Sequence, residues 1–401
     1  MSSARQRLVV LGATGSVGRS TLDVAARHPD RLEIFALSAN HDAEGLAELC
    51  KLHRPAHAVL ADNSRAGLLA GLLKQSGVPT EVHGGSDALN AIASAEQAQQ
   101  VMCAIAGSPG LPSTLAAIRA GKRVLIANKE PLVMAGALMM REAQKHGAVV
   151  LPIDSEHNAI FQCLPHTARC GSQLPAGIAK LILTASGGPF LNTPLAELAA
   201  VTPEQAVRHP NWAMGLKISV DSATMMNKGL ELIEAAVLYG LPEHRIEVVI
   251  HPESILHSLV EYRDGSTLAQ LGRPDMRVPI AHALAWPERW ESGVAGLDWQ
   301  QMARFHFLPA DLERFPALSL ARSALKAGGN APNVLNAANE VAVAAFLQRR
   351  LRFTGIAEVV AAVLEQMVAA DLPGTQELDD AVVVAAWASR AAEVCVTESG
   401  R

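Results

Sequence analysis

Residues 7–18 read RLVVLGATGSVG, and this stretch carries the main evidence for the fold. Its first half, Leu8–Leu11, is a short apolar run of the kind found in buried parallel strands. The glycine-rich half, Gly12–Gly18, follows at once and opens a helical pattern. Glycine lets a backbone approach a pyrophosphate, whose charge a helix N-terminus stabilises. The stretch predicts a dinucleotide site. A purely structural turn is the alternative, because the spacing is GxxGxxG rather than GxGxxG.

The alternation of short apolar runs with helical stretches continues as far as Asp154. Helical patterns such as Gly45–His53 and Ser113–Ala120 separate the apolar runs. Such alternation builds an open parallel sheet with helices on both faces. We therefore predict an α/β fold, with an N-terminal Rossmann-like doubly wound parallel sheet over residues 1–154. Its predicted strands are Arg7–Leu11, Leu32–Leu37, Ala58–Ala61, Val101–Ala106, Arg123–Ala127 and Ala148–Ile153.

The rest of the chain has a different texture. Residues 155–286 mix strands with helices and polar loops, which predicts a central α+β catalytic domain carrying a lid loop. The strands predicted there are Lys180–Thr184, Ile246–Ile250 and Ser266–Leu271. Residues 287–315 are typical of a linker. We expect Trp290 and Trp299 to mark where this linker packs against the rest of the protein. Residues 316–401 predict a C-terminal helical bundle, with helices at Leu320–Ala327, Val334–Leu351, Ile356–Ala370 and Ala381–Val394.

Composition excludes several classes of protein. Of the 401 residues, 49% are hydrophobic and 18% are charged, which supplies enough apolar material for real cores and excludes a disordered chain. The sequence contains no run of about 20 apolar residues, so we expect no membrane span. A net charge of −5 gives no reason to expect a nucleic-acid or membrane partner. Five cysteines without a CxxC pair are typical of a reduced, cytoplasmic protein.

The residues after the second predicted strand bear on which dinucleotide binds. An NAD site usually places a carboxylate there to hold the ribose 2′-hydroxyl. Here the chain reads Asn40-His41-Asp42, so the acid comes late and its absence at the strand end favours NADP. No Arg or Lys is present to bind a 2′-phosphate, and His41 would be a weak, pH-dependent substitute. The residues alone therefore leave NADP favoured and NAD open.

Two acids follow the last predicted strand of the sheet. Asp154 and Glu156 are two residues apart, so in an extended chain both would point the same way. Two carboxylates on one face repel unless a cation or a shared proton relieves them. Ligands in open α/β sheets bind at this carboxyl edge, which favours a hard divalent ion, Mg²⁺ or Mn²⁺. A pair of solvated surface acids is the alternative.

Two further segments contain groups suited to binding a phosphate or another anion, and a third is a candidate for a lid. In Asp221–Glu234, Ser222 and Thr224 are capping-type residues that precede a helix beginning near Asn227. Glu231 and Glu234 lie one turn apart on that helix. The alternative interpretation is an ordinary capped helix with solvated glutamates. Ser186-Gly187-Gly188 follows a predicted strand and forms a small donor-rich loop. Arg208–Lys217, with its His, Trp and Met, is a candidate for a closing lid, although lone tryptophans most often lie in cores.

Together these segments resemble the 1-deoxy-D-xylulose 5-phosphate reductoisomerase family over nearly the whole chain. The resemblance rests on GATGSVG (12–18), ANKE (127–130), DSEHNAIFQ (154–162), SGGPF (186–190), HPNWAMG (209–215), DSATMMNKGLE (221–231) and GRPDMRVPIAHALAWP (272–287). It implies NADPH-dependent, metal-dependent isomerisation and reduction of 1-deoxy-D-xylulose 5-phosphate to 2-C-methyl-D-erythritol 4-phosphate. It also implies Mn²⁺ or Mg²⁺ as the metal, with Co²⁺ as a third candidate, and a homodimer.

The resemblance also implies roles for individual residues. The metal would be held by Asp154, Glu156 and Glu231. Catalytic roles would fall to Glu156, Lys129 and His209. The substrate would contact Ser155, Ser186, His209, Ser222, Asn227, Lys228, Trp212 and Met214, the last two on the lid. The NADPH site would be lined by Thr14, Gly15, Ser16, Val17, Asn128, Glu130 and Gly215. Asn40 and His41 are expected near the 2′-phosphate from their position after the second predicted strand, and not from the resemblance.

Two features depart from the family pattern, and two other enzyme or protein classes remain open. The family usually has a basic residue where this chain has Asn40-His41-Asp42, and Pro131 stands where Ser is common after ANKE; proline is tolerated in a first helical turn.

Semialdehyde and acyl-phosphate reductases share GATGxVG and act through a cysteine, here Cys163 or Cys103. A non-catalytic NADP-sensing protein is the third reading, although neither rival accounts for the two acidic motifs.

Overall fold

The computed structural model of the chain describes residues 5–209, 215–300 and 304–399. Within 5–209, seven parallel strands form one sheet in the order β4-β3-β2-β1-β5-β6-β7, so the chain starts at the centre and winds outward in both directions. The strands are β1 Gln6–Leu11, β2 Leu32–Ala39, β3 His57–Leu60, β4 Glu81–Gly84, β5 Gln100–Cys103, β6 Arg123–Ile126 and β7 Val149–Pro152. This is the predicted doubly wound fold.

Helices connect the parallel strands of this sheet. They are α1 Ser16–Arg27, α2 Ala43–His53, α3 Ala66–Gln75, α4 Ser86–Ser94, α5 Leu111–Arg119 and α6 Glu130–His146. The central strand β1 is buried through Leu8–Leu11, because it has neighbours on both sides and helices above and below. All the loops that follow the strands therefore meet at one edge, the carboxyl edge, where ligand sites form in such sheets.

A second, mixed sheet follows in the middle of the chain. Its order in the described residues is β11-β10-β8-β9-β12, with β8 and β9 parallel and the other pairs antiparallel. The elements of this region are α7 Ser155–Cys163, β8 Ile178–Ala185, α8 Pro203–Ala206, α9 Leu216–Ala223, α10 Met226–Tyr239, β9 Ile246–Ile250, β10 Leu256–Tyr262, β11 Thr267–Leu271, α11 Arg277–Ala285 and β12 Leu308–Pro309. Helix α10 is buried on nearly all sides and packs on α6, α9 and α12.

The C-terminal part of the described chain is helical, as the sequence predicts. Its helices are α12 Pro316–Ala327, α13 Ala331–Leu347, α14 Gly355–Met367 and α15 Leu378–Ser399. Helix α13 is the central helix, packed on α14 and α15 on one side and on α6 and α9 on the other. The core of this bundle continues into α9 and α10 through Val220, Leu230 and Ile233. The bundle therefore supports the helices that lead to the second sheet.

Three details differ from the sequence-based expectations. Strand β4, Glu81–Gly84, was not predicted, because a half-exposed edge strand carrying Glu and His has no apolar run. Strand β10, Leu256–Tyr262, was missed because His257 and Ser258 interrupt its apolar pattern although both are buried. Trp290 packs against the core as expected, with its ring centroid 5.1 Å from that of His28. Trp299 is 68% exposed, so it does not anchor the linker as predicted.

No helix among the described residues has the length and apolar character needed to cross a membrane.

An aromatic stack joins the second sheet to the bundle and generates a stability prediction. Phe353 lies edge-on to Phe190 at 5.2 Å and to Phe346 at 5.7 Å between ring centroids, and Phe346 is 1% exposed. Phe346→Ala should cost about 3–5 kcal/mol of unfolding free energy, because it leaves a cavity beside the Phe353 ring. Urea unfolding followed by circular dichroism measures the loss. Val368→Ala, at an 84% exposed position, is the control. Equal shifts for the two variants would contradict the assigned packing.

Candidate active site

Three carboxylates from separate parts of the chain meet at the carboxyl edge of the first sheet. Asp154 follows β7, Glu156 lies in the first turn of α7, and Glu231 lies on α10. One oxygen from each lies within 4.8 Å of the other two. An all-oxygen set of this kind suits a hard divalent cation such as Mg²⁺ or Mn²⁺. We call these three residues the acid triad.

The local geometry behind the triad differs from the extended chain that the sequence suggested. Helix α7 begins at Ser155, so Asp154 is its N-cap residue and Glu156 is already helical. The two carboxylates therefore converge because a helix starts between them, and the extended-strand argument was wrong. The third acid comes from α10, whose Glu231 is 1% exposed, so the alternative of solvated glutamates is also wrong.

Two buried lysines, Lys129 and Lys228, offset most of the negative charge of the acid triad. The Lys129 ammonium lies 2.8 Å from Asp154 Oδ2 and 3.3 Å from Glu231 Oε1. The Lys228 ammonium lies 2.7 Å from Glu156 Oε1 and also contacts Glu231. Three carboxylates against two ammonium groups leave one negative charge. A divalent ion would change this to one positive charge, which suits an anionic substrate.

The electrostatics of the cluster agree with a cation site. Burial, with repulsion from Glu156 and Asp154 added, raises the pKa of Glu231 to about 7. Although burial opposes it, pairing with Lys129 lowers the pKa of Asp154. The carboxylates raise the pKa of both lysines against their burial, so both stay charged. A carboxyl group that resists ionisation without a cation is what a metal ligand should show, and the triad therefore fits a divalent metal ion.

A second buried pair supports the triad from beneath. His157 Nε2 lies 3.0 Å from Glu234 Oε2, and neither side chain is more than 1% exposed. Although burial favours the neutral ring, the carboxylate of Glu234 raises the pKa of His157. Glu231 and Glu234 do lie one turn apart, but they serve different purposes. Glu231 faces the cleft, whereas Glu234 joins α10 to α7.

A tight turn between α9 and α10 brings further polar groups to the same cleft. Met225 occupies the turn with a φ of +62°, a left-handed conformation that is uncommon for a residue with a side chain. Ser222 lies within α9 rather than capping a helix, which corrects the sequence-based interpretation. Thr224 does accept a bond from the Met226 amide at 3.2 Å. Asn227 accepts from Lys129 at 2.7 Å and donates to Glu231 at 2.5 Å.

The Ser186-Gly187-Gly188 loop forms the opposite wall of the cleft. Both glycines have positive φ, and a Cβ on Gly188 would lie 2.8 Å from the Ser222 carbonyl oxygen. The loop can therefore approach α9 this closely only with glycine at position 188. The Ser186 hydroxyl lies 3.0 Å from His209 Nε2. Burial lowers the pKa of His209, with Glu156 acting in the opposite direction. Hydroxyl, imidazole and amide donors at one end of the cleft suit a phosphate.

The glycine-rich loop after β1 forms one end of the cleft, where the sequence predicts the dinucleotide. Gly12 has a φ of +82°, and a Cβ there would lie 2.5 Å from the Ala104 carbonyl oxygen. A Cβ on Gly18 would lie 2.3 Å from the Gly12 carbonyl oxygen, so α1 can pack against the loop only with glycine at this position. Ser16 and Val17, in the first turn of α1, line the same cleft as the triad. This close-approach loop fits a dinucleotide pyrophosphate.

The structure brings most of the predicted site residues to one cleft. Its lining includes Ser16, Val17, Lys129, Asp154, Ser155, Glu156, Ser186, His209, Gly215, Ser222, Asn227, Lys228 and Glu231. Trp212 and Met214 lie outside the described residues. Thr14 and Gly15 lie in the loop just before α1, outside this lining, and Asn40 and His41 lie exposed just after β2.

Two other predicted cofactor residues hold loops in place through their side chains. The Asn128 amide donates to the carbonyl oxygens of Ile105 and Gly107, the latter at 2.8 Å, and so joins the loops after β5 and β6. Glu130 lies 2.7 Å from Lys217, the second residue of α9. Both side chains are nearly buried, and neither belongs to the lining of the cleft.

Several functional side chains were missed from the sequence. His257 and Met276 line the cleft, and burial lowers the pKa of His257. His257 was missed with its strand β10, whereas Met276 stands inside the GRPDMRVP motif that the sequence analysis quoted. Lys217 also lies 2.9 Å from Asp221, whose other oxygen accepts from Asn339 on α13 at 2.7 Å. No local pattern in the sequence predicts that α9 contacts α13.

The cysteines of the rival enzyme class do not have the properties of nucleophiles. Burial raises the pKa of the Cys103 thiol to about 12 and that of Cys163 to about 11. A catalytic cysteine requires the opposite shift, because the thiolate is the reactive form. Neither residue belongs to the lining of the cleft. The geometry therefore gives no support to a cysteine-dependent reductase.

Comparison with protein families identifies similarity along almost the whole chain. Residues 8–136 match the model of 1-deoxy-D-xylulose 5-phosphate reductoisomerase, residues 150–239 match that of its C-terminal domain, and residues 271–391 match that of the DXP reductoisomerase C-terminal domain. The 1-deoxy-D-xylulose 5-phosphate reductoisomerase of Cellvibrio japonicus is 57% identical over 376 residues, covering 93% of this chain and 94% of that protein. The same enzyme of Pseudomonas aeruginosa strain PAO1 is 57% identical over 364 residues, covering 91% and 92%.

Solved structures agree with these relatives. A crystal structure of DOX-P reductoisomerase with NADPH, fosmidomycin and magnesium is 46% identical and superposes with a TM-score of 0.91, covering 98% of each chain. The Zymomonas mobilis 1-deoxy-D-xylulose 5-phosphate reductoisomerase with NADPH is 48% identical, with a TM-score of 0.90 and coverage of 98% and 99%. A third structure, DOX-P reductoisomerase with magnesium, is 45% identical, with a TM-score of 0.92 and coverage of 99% and 100%.

The contact between Gly18 and the loop after β1 generates a test of the cofactor end. Gly18→Ala should weaken dinucleotide binding at least about tenfold, because the loop must shift to admit the methyl group. Titration with NADPH, the dinucleotide that the sequence favours, followed by its fluorescence, measures the dissociation constant. Gly67→Ala on α3, where a Cβ meets nothing within 4 Å, is the matched control. Unchanged affinity in Gly18→Ala would remove this loop from the site.

Proposed function

The chain belongs to the 1-deoxy-D-xylulose 5-phosphate reductoisomerase family, and we propose that the cleft around the acid triad is the site of that family's reaction. The reaction is the NADPH- and metal-dependent conversion of 1-deoxy-D-xylulose 5-phosphate to 2-C-methyl-D-erythritol 4-phosphate in the non-mevalonate isoprenoid pathway. One observation carries the assignment to this cleft: a single cavity is lined by the triad, the Ser186 loop and the first turn of α1. A metal, a sugar phosphate and a nicotinamide must meet in such a place.

The triad would hold the divalent ion through Asp154, Glu156 and Glu231. When bound, that ion supplies a Lewis acid for the carbonyl and hydroxyl oxygens of a hydroxyketone, and NADPH supplies the hydride. Lys129 and Lys228 have raised pKa values and remain cationic, so each acts as a hydrogen-bond donor and a positive charge rather than as a base. They would stabilise negative charge that develops on substrate oxygens during the rearrangement.

Glu156 and Ser155 are placed to move a proton at the reacting end. The Ser155 hydroxyl donates to Glu156 Oε2, while the other oxygen of Glu156 accepts from Lys228 at 2.7 Å. A carboxylate that accepts from a hydroxyl can take up a proton from a substrate oxygen through that hydroxyl, and the resulting carboxylic acid can return the proton by the same route. Glu156 therefore combines metal binding with proton transfer in this proposal.

The phosphate would bind at the far end of the cleft, away from the reacting carbons. Ser186, His209, Ser222 and Asn227 surround that end with hydroxyl, imidazole and amide groups. Lys228, the third residue of the helix that carries Asn227, would add positive charge that favours the phosphate. Binding energy from this remote group orients the sugar and supports closure over the reactive end.

We further propose that two chains associate through the second sheet. The segment around β12 leaves Trp299, Phe305, Phe307 and Leu308 between 37% and 68% exposed, and Leu268 on the other edge strand, β11, is 50% exposed. Clustered exposed aromatic side chains beside an edge strand are typical of a subunit interface. No disulfide joins any of the five cysteines, all of which lie among the described residues, and this is consistent with a reducing, cytoplasmic compartment.

The metal requirement gives a direct test of the activity. Purified protein should oxidise NADPH only when 1-deoxy-D-xylulose 5-phosphate and Mn²⁺ or Mg²⁺ are both present, and EDTA should abolish the reaction. Glu231→Gln should lower kcat about a hundredfold or more while leaving NADPH affinity close to normal, because it removes a charged metal ligand and the partner of two lysines but leaves the glycine-rich loop unchanged. Glu247→Gln, an exposed glutamate 2.7 Å from Lys180, is the control. Equal losses of kcat and NADPH affinity would contradict the metal assignment.

The phosphate end is tested through His209. His209→Ala should raise KM for the sugar phosphate at least about tenfold, because a hydrogen bond to a charged group contributes about 1.5–3 kcal/mol. KM for NADPH should stay unchanged, since the nicotinamide binds at the other end of the cleft. Steady-state kinetics with each substrate varied separately measures both constants. His244→Ala, at an exposed position outside the cleft, is the control. An unchanged KM for the sugar phosphate would remove His209 from the substrate site.

A further inference from the structure

A second group of metal-ligating side chains lies on the first sheet, away from the acid triad. It consists of His57 on β3 and of Glu81 and His83 on β4, and one ligand atom of each lies within 4.8 Å of the others. The strand register explains this arrangement. His57 pairs with Glu81, and His83 is two residues further along the same strand, so all three side chains share one face of the sheet.

The separations between these groups match those around a tetrahedral metal ion. His57 Nδ1 lies 3.2 Å from His83 Nε2 and 3.5 Å from Glu81 Oε2, and His83 Nε2 lies 3.7 Å from the other oxygen of Glu81, Oε1. Zinc–nitrogen bonds of about 2.0–2.1 Å at tetrahedral angles place two ligand atoms about 3.3 Å apart. Hydrogen bonding alone accounts for the cluster less well, because the two carboxylate contacts exceed the usual hydrogen-bond distance.

We propose that His57, Glu81 and His83 form a second metal site, selective for a borderline divalent ion of the Zn²⁺ type. Two imidazoles and one carboxylate suit zinc, whereas the all-oxygen triad in the cleft suits Mg²⁺ or Mn²⁺. Three protein ligands leave one coordination position for water, and Glu81, at 67% side-chain exposure, keeps that position open to solvent. The edge of the Phe35 ring packs against His57 at 5.2 Å between centroids and holds the imidazole in place.

The location indicates a structural role. His57 is the first residue of β3 and Glu81 the first of β4, so the site lies toward the amino end of parallel strands whose opposite ends face the cofactor loop. Strand β4 is only four residues long and occupies the sheet edge, where its sole partner in the sheet is β3 within the described residues. An ion held by both strands would fasten this edge, in the same way that the Thr80 hydroxyl already joins the Pro55 carbonyl at 2.7 Å.

The experiment is a zinc titration of untagged, metal-free protein by calorimetry in excess Mg²⁺, which occupies the triad. The unmodified protein should bind one Zn²⁺ outside the cleft, and its melting temperature should rise with added Zn²⁺. His83→Gln and His57→Gln should each weaken this binding at least about tenfold, because each removes one ligand. Glu231→Gln should retain the Zn²⁺ bound on β3 and β4, since that variant changes only the cleft. His166→Gln, at an exposed position outside both sites, is the control.

The outcomes separate this site from a general affinity of histidines for zinc. Loss of binding in both cluster variants, with His166→Gln and NADPH oxidation in Mg²⁺ unaffected, supports the proposal. Zinc affinity and zinc-dependent melting that are the same in His57→Gln, His83→Gln and the unmodified protein would overturn it. Circular dichroism of each variant confirms folding, and Glu81→Gln, which keeps both rings, should weaken zinc binding as well.

Discussion

The balance of charge among three buried carboxylates and two buried lysines is the constraint on which the rest of the site depends. Asp154, Glu156 and Glu231 repel one another, and burial increases the cost because water cannot screen them. Lys129 and Lys228 offset that repulsion only because the N-terminal ends of α6, α7 and α10 meet at the cleft. The packing of these helices is therefore tied to the electrostatics of the cleft.

The parallel sheet provides the common edge at which these groups meet. Loops after β1, β6 and β7 supply the first turn of α1, Lys129 and Asp154 respectively, because every parallel strand ends on the same side. Helix α10 comes from outside this sheet and inserts Asn227, Lys228 and Glu231 into the edge. A cofactor loop and an acid cluster from distant parts of the chain thereby share one cleft, which is the arrangement that hydride transfer to a metal-bound substrate requires.

A chain of buried polar contacts connects this cleft to the C-terminal bundle. Asn339 on α13 bonds to Asp221, which pairs with Lys217, which in turn pairs with Glu130 beside Lys129. No described residue of the bundle lines the cleft, yet the bundle orients α9 and so places Ser222 opposite the Ser186 loop. The tight approach of Gly188 to Ser222 leaves little room for α9 to move, so the end of the cleft that we propose for the phosphate depends on packing far from it.

The sequence by itself determined the parallel sheet, the cofactor loop, the helical C-terminal region and the residues of the acid triad, because apolar runs, glycine spacing and contiguous motifs are local signals. It did not reveal β4 or β10, whose positions are stabilised by neighbouring strands rather than by their own apolar patterns. Only the tertiary structure decided that Glu156 is helical, that Lys228 pairs with the triad, and that Asn339 supports Asp221. The same holds for His57 and His83, which are 26 residues apart and meet through strand register alone. Such contacts join residues far apart in sequence, and no local pattern records which distant charge a buried group will meet.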